Sequence, residues 1–230
     1  MNDGNHGPSP RQHRRGTRGN PAPTSGPTVV EHPRGHPGPP HGATMALVPY
    51  LSESDLAETD RELLGRPINL FRGLANSPDG LRHFQVLGQW IRHGCELDPR
   101  LRELAILQVG YLTASPYEWS HHVKIGHDFG VTDDDVTQLV RASNGEEHAL
   151  GELETLVTTG AREVTADRSM SPATWSALET RLGRARLVDL VIVASFYSAV
   201  IRILATLQID VEPDYAGYLE QFPLPEKPLA

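Results

Sequence analysis

Thiols are nearly missing from this chain: Cys95 is the only cysteine in 230 residues. One cysteine makes no intrachain disulfide and no redox pair, and it fits a reducing cytoplasm. Lysine is almost as scarce, with Lys124 and Lys227 alone. Long apolar runs are missing too. The most apolar stretch, residues 190–201, lies between Asp189 and Arg202. It is too short to span a bilayer and suits a buried core helix, so no membrane partner is expected. The N-terminus carries charge but no apolar core of a signal peptide, so none is expected. No alternating apolar–polar stretch flanked by hairpin turns occurs, which argues against β-structure. No unit of 20–50 residues recurs, which argues against a repeat array.

What is present is unevenly spread. Residues 1–44 hold nine of the 19 prolines, eight of the 21 glycines and five of the 11 histidines, with almost no large apolar side chains. Such a stretch buries too little surface to offset its ordering entropy and reads as a disordered tail. Its Arg11, Arg14, Arg15 and Arg18 read as solvated charge rather than a nucleic-acid arm. Patterning changes at Met45, which offers an alternative translation start and would leave residues 1–44 untranslated. Residues 45–230 make one domain large enough for a proper core. This domain is more acidic than the whole chain, whose net charge is −8, so nucleic acid is not its expected partner.

Helix punctuation runs through the domain. In "SPDGLRHFQVLGQWIRHG" Ser77 is the expected N-cap, Pro78 the first helical residue and Gly94 the stop. "LDPRLRELAILQVGYLT" repeats the device with Asp98 and Pro99. After Glu103 it is apolar almost all round, as a central helix would be. "SPYEWSHHVKIGHDFG" does so again with Ser115, Pro116 and Gly130. Further helices are expected from Thr132 or Asp133, over residues 146–164, from Ser171 to near Gly183, and from Arg184 to Gln208. The expectation is an all-α domain of about seven or eight helices. Its first segment, residues 49–71, is placed to wrap another subunit.

The chemistry gathers on "SPYEWSHHVKIGHDFG". Glu118 and His122 are four residues apart and share a helix face, and His121 stands at its edge. A carboxylate beside an imidazole is a usable acid–base pair. The helix N-terminus near Ser115 favours an anion. Tyr117 and Trp119 can supply pocket walls and polar tips. Glu103, Leu107 and Gly110 form one stripe leading towards Ser115, and small Gly110 would let the next helix approach closely. A carboxylate on a buried helix needs a partner. Arg102 is turned about 100° away on the helix, so the expected partner lies on the Ser115–Gly130 helix. The competing reading is an exposed Glu118–His122 pair contributing a few tenths of a kcal/mol. A metal site is disfavoured, because there is no HExxH pattern. His127 reads as a surface or interface residue and Lys124 as a solvated charge.

The stretch "RLRELAILQVGYLTASPYEWSHHVKIGHDFGVTDDDV" resembles the core of the carboxymuconolactone decarboxylase family, whose superfamily includes the alkylhydroperoxidase D-type proteins. The resemblance extends over about residues 45–213. It implies an all-α, alkylhydroperoxidase D-like fold that assembles as homotrimers or hexamers. It also implies cofactor-free lyase chemistry on a small-molecule substrate, with Glu103, Glu118 and His122 as catalytic residues and Ser115, Tyr117, Trp119 and His121 around the substrate. The peroxidase branch carries CxxCxxxH on this helix. Here the two cysteine positions are Ser115 and Glu118, and the histidine is His122. A dithiol mechanism needs attacking and resolving thiols, so antioxidant peroxidase activity is disfavoured. A non-catalytic oligomeric binding protein is the other alternative. Adjacent carboxylates would disfavour an anionic substrate unless one is protonated, which points to a related lyase, isomerase or hydratase.

Overall fold

Proline and its capping neighbour decide where most of the long helices begin. A computed structural model describes residues 46–229; the reading of residues 1–44 as a disordered tail, and of Met45 as a start, lies outside the described residues. Pro78, Pro99, Pro116 and Pro172 each open a helix at its first position, where the missing N–H costs nothing. The described residues hold nine α-helices: α1 (Asn69–Leu74), α2 (Pro78–His93), α3 (Pro99–Leu112), α4 (Pro116–Asp128), α5 (Asp133–Ser143), α6 (Glu152–Ala166), α7 (Pro172–Leu182), α8 (Arg184–Leu207) and α9 (Ala216–Gln221). Short 3-10 turns occupy Glu53–Asp55, Glu58–Leu64 and Pro213–Tyr215. The two helices beyond the expected number, α1 and α9, have six residues each, too few to show a 3.6-residue period.

The caps differ in detail from the expectation. Asp98 accepts from the backbone N–H groups of Arg100 and Leu101, and Thr132 from that of Asp135. Ser77 and Ser115 stand at cap positions without a side-chain cap bond. The helix expected over residues 146–164 starts only at Glu152. Gly145 takes φ +75°, and the N–H groups of Gly145 and Glu146 return to the carbonyls of Ala142 and Arg141. This Schellman closure turns the chain off the axis of α5, and helix resumes only after Gly151.

α3 is the central helix: every residue from Leu101 to Leu112 is buried. It packs against α4, α5, α6 and α8. Gly110 sets the spacing to α4, since a Cβ there would meet the Trp119 backbone N at 3.4 Å and its Cα at 3.5 Å. Gly110→Val would push branched methyls into the immovable backbone of α4. It is expected to lower stability by about 1–3 kcal/mol in thermal unfolding, whereas Gly110→Ala should be tolerated. α8 is long and apolar enough by length and composition to cross a membrane. Here it packs on α3, α6 and α7 and buries Leu187, Leu190, Val193, Ala194, Tyr197, Val200, Ile201 and Leu204.

Residues 49–71 make contacts within their own domain. Leu51 N–H donates to Arg72 O, and Leu56, Leu63 and Leu64 form a small cluster with Ala75 and Leu81. This segment roofs a cavity above α4.

Candidate active site

α3 and α4 run close enough, across Gly110, for buried polar side chains to meet. His122 on α4 is held at both ring nitrogens: Nδ1 is 2.7 Å from Glu103 Oε2, and Nε2 is 2.9 Å from Glu118 Oε1. Glu103, Glu118 and His122 are 1%, 4% and 4% exposed, so the reading of an exposed surface pair is excluded. Arg102 corrects a further expectation. Its long side chain curls back, and Nε and Nη2 donate to Glu103 Oε1 at 3.1 and 3.0 Å. Its Nη1 donates to the Arg92 carbonyl, and its guanidinium lies 4.5 Å from the centre of the Phe129 ring. The helical step of 100° fixes where a Cα–Cβ bond points, but an arginine has enough rotatable bonds to return.

Charge balances within this group. Two carboxylates face one guanidinium and one imidazolium, so the buried set is neutral overall, as a low-dielectric interior requires. With both ring nitrogens facing carboxylate oxygens, either an imidazolium donates both bonds, or a neutral ring donates to Glu103 while a protonated Glu118 donates to it. The two forms differ by one short proton shift. In either, His122 has no free lone pair for a metal.

The titration behaviour follows. Burial alone would lower the His122 pKa, but the Glu103 and Glu118 carboxylates outweigh it and hold the value at about 9. Burial would raise Glu103, but His122 and Arg102 outweigh it and hold its carboxyl below the ordinary range. Since His122 is raised in the folded state, its contribution to stability is complete below the ordinary 6.5 and is lost as pH rises through about 9. The urea midpoint is therefore expected to fall across that window. His122→Gln, which does not titrate, should flatten the fall; an equal fall in that variant would assign it to another group.

The cavity beside this group has a volume of about 360 Å³. α4 lines it with Tyr117, Glu118, His121 and His122, α8 with Phe196, Tyr197 and Val200, and α2 with Phe84, Gln85, Gly88, Gln89 and Arg92. Arg66, Ile68, Leu70 and Phe71 close the far side. Glu103 stands behind His122 and does not line the cavity. Tyr117 and His121 do, in a second bonded set. The His121 ring is stacked between Tyr117 at 4.1 Å and Tyr215 at 3.6 Å, and its Nε2 is 2.7 Å from Glu212 Oε2. Burial lowers the His121 pKa more than Glu212 raises it. Tyr117 donates to Glu212 Oε1 at 3.1 Å and accepts from Leu70 N.

Two expected substrate-binding residues are not there. Trp119 is fully buried on the other side of α4, its indole N–H donating to the Phe222 carbonyl at 2.8 Å, so the expected pocket wall is corrected to a core anchor. Ser115 is buried and absent from the cavity wall. Outside the site, His127 is exposed and pairs with Asp133 at 2.8 Å. The Cys95 thiol bonds the Ile91 carbonyl. Sequence reasoning missed Arg92, Tyr197 and Glu212. The one local signal was a tyrosine set inside the apolar run of α8, where a buried hydroxyl needs a reason.

Solved structures with this arrangement of helices place the chain in a class. A peroxidase-related protein from Ralstonia eutropha JMP134, described as an alkylhydroperoxidase AhpD core, superposes with a TM-score of 0.64 at 16% identity, covering 80% of this chain and all of that one. A variant of the debrominase Bmp8, in complex with 2,3,4-tribromopyrrole, gives 0.64 at 15% identity over 78% of this chain and all of its own. A peroxidase-related protein from Silicibacter sp. TM1040 gives 0.62 at 18%, over 77% and 96%. At such identities the shared property is the fold, which is all-α and alkylhydroperoxidase D-like. Residues 78–144 match the carboxymuconolactone decarboxylase family; the match spans α2 to α5, which carry Glu103, Glu118 and His122. No curated protein matches the chain.

Proposed function

We propose that this protein is a cofactor-free acid–base enzyme, a decarboxylase-like lyase acting on a small carboxylated lactone or keto acid. The observation that carries the reading is His122 bonded at both nitrogens to carboxylates, with Glu118 facing the cavity and Glu103 buried behind. Glu118 is the group at the substrate. His122 exchanges a proton with it, and Glu103 with Arg102 holds the ring and stabilises its positive form. In the proposed step the bond between the carboxylate carbon and the substrate breaks and CO₂ leaves. The electron pair passes into the neighbouring carbonyl as an enolate. A proton from Glu118, replaced through His122, then forms the new C–H bond. Nothing is oxidised or reduced.

The walls support a small, flat, anionic substrate. Phe71, Phe84 and Phe196 supply apolar faces, and Arg66 and Arg92 supply positive charge. The neutral bookkeeping of the buried set removes the objection that two carboxylates would repel such a ligand. A debrominase of this fold forms a complex with 2,3,4-tribromopyrrole, a small flat ring, which favours a ligand of that kind here. A thiol-peroxidase reading has no support on α4, where Ser115 and Glu118 stand in the thiol positions. The resemblance extends the proposal to a cytoplasmic homo-oligomer, for which exposed Val86, Leu87 and Val188 offer apolar surface. A screen of β-keto acids and γ-carboxylactones for CO₂ release tests the activity, and release no faster than in buffer from every compound would overturn it.

A further inference from the structure

Among the described residues, the buried tyrosine hydroxyls are bonded with one exception, and that one is in the cavity wall. Tyr117 bonds Glu212 and Leu70, and Tyr111 bonds Asn144 at 3.3 Å. Tyr197 is 9% exposed and lines the cavity, yet its hydroxyl bonds no other described residue. Its ring is fixed edge-on against His122, with centres 4.9 Å apart at 82°, and against Phe196, at 5.5 Å and 84°. The hydroxyl is not sealed in the core but opens on the cavity, where a ligand oxygen would meet a donor that no described residue uses. Arg92, half-buried on α2, lines the same cavity. Its carbonyl holds Arg102, but its guanidinium makes no ion pair with any described residue. Of the other charged groups on the wall, Glu62 bonds Arg82, Glu118 is matched by His122, and Arg66 is exposed.

We propose that Tyr197 and Arg92 form the oxyanion-binding end of the cavity. Tyr197 donates its O–H to the substrate oxygen on which negative charge develops, and Arg92 supplies the counter-charge. The inference rests on the reading above that an enolate forms here, and it names the groups that would stabilise that enolate. The ligand class is a small ring bearing a carbonyl oxygen that becomes an enolate, or a phenolate of the same shape. Burial, with the Glu118 and Glu103 carboxylates nearby, pushes the Tyr197 pKa well above its ordinary value, so the phenol remains a donor at neutral pH.

The test needs no turnover. 4-Nitrophenolate serves as the enolate mimic, followed by its visible absorption, with nitrobenzene as the uncharged control of similar shape. Wild-type protein is expected to bind nitrophenolate in preference to nitrobenzene. Tyr197→Phe keeps the ring against His122 and removes only the oxygen. It is expected to weaken nitrophenolate binding by at least about tenfold without changing nitrobenzene binding or the melting temperature. Arg92→Gln should weaken nitrophenolate in the same selective way. Equal nitrophenolate affinity in wild type and Tyr197→Phe, or no preference of the wild type for the phenolate, would overturn the proposal. Either result leaves the Glu118–His122 reading to stand or fall on CO₂ release, so the two failures are distinguishable.

Discussion

Glu118→Gln is expected to lower the rate of CO₂ release by about 10²–10⁴-fold, with little change in KM. The amide nearly preserves the shape of the carboxylate and can still accept from His122 Nε2. What it cannot do is carry a proton to the substrate. His122→Ala should cost about as much, because Glu118 then loses the imidazole 2.9 Å away that replaces its proton. The two residues act as one unit, so the double variant should be no slower than the worse single one. Stopped assays of CO₂ release on a compound found active with the wild type supply the measurement. Unchanged turnover in His122→Ala would remove it from the chemistry. A rise confined to KM in Glu118→Gln, with kcat unchanged, would make Glu118 a binding group and remove it from the proton transfer.

Arg102→Met should be the most destabilising substitution at the site, by about 3–5 kcal/mol. Arg102 and Glu103 are 2% and 1% exposed. Methionine fills much of the arginine's volume but leaves Glu103 Oε1 without its two donors. The protein would then hold two buried carboxylates against one imidazolium. The Arg92 carbonyl also loses its donor, and Phe129 loses the guanidinium over its ring. Adding Glu103→Gln removes the excess charge and should recover part of the loss, since an unpaired buried charge costs more than a neutral amide. Urea midpoints of the wild type, both single variants and the double variant would measure the coupling. A midpoint for Arg102→Met within error of the wild type would show that the pair contributes nothing to the fold.

Much of this was present in short-range pattern. Proline at the first helical position, preceded by serine or aspartate, marked the starts of α2, α3, α4 and α7, because a helix begins by local capping and restricted φ. The apolar run after Glu103 announced a central helix, and the four-residue spacing put Glu118 and His122 on one face. The cysteine positions occupied by Ser115 and Glu118 set thiol chemistry aside. The extent of α6 was misjudged because the Schellman turn at Gly145 depends on one residue's φ, which composition does not reveal. Trp119 was assigned to the wrong side because helical period says which residues share a face, and not which neighbour that face meets. The return of Arg102 to Glu103 is a choice of rotamers made by packing. The approach of Tyr197 to His122, and of Arg92 to the same cavity, joins α2, α4 and α8, helices whose order in the chain carries no information about their distance. Local sequence determined the helices and the acid–base pair. Which side chains surround that pair, and which hydroxyl is left open to a ligand, was decided only by tertiary packing, because those contacts are set by the whole core at once.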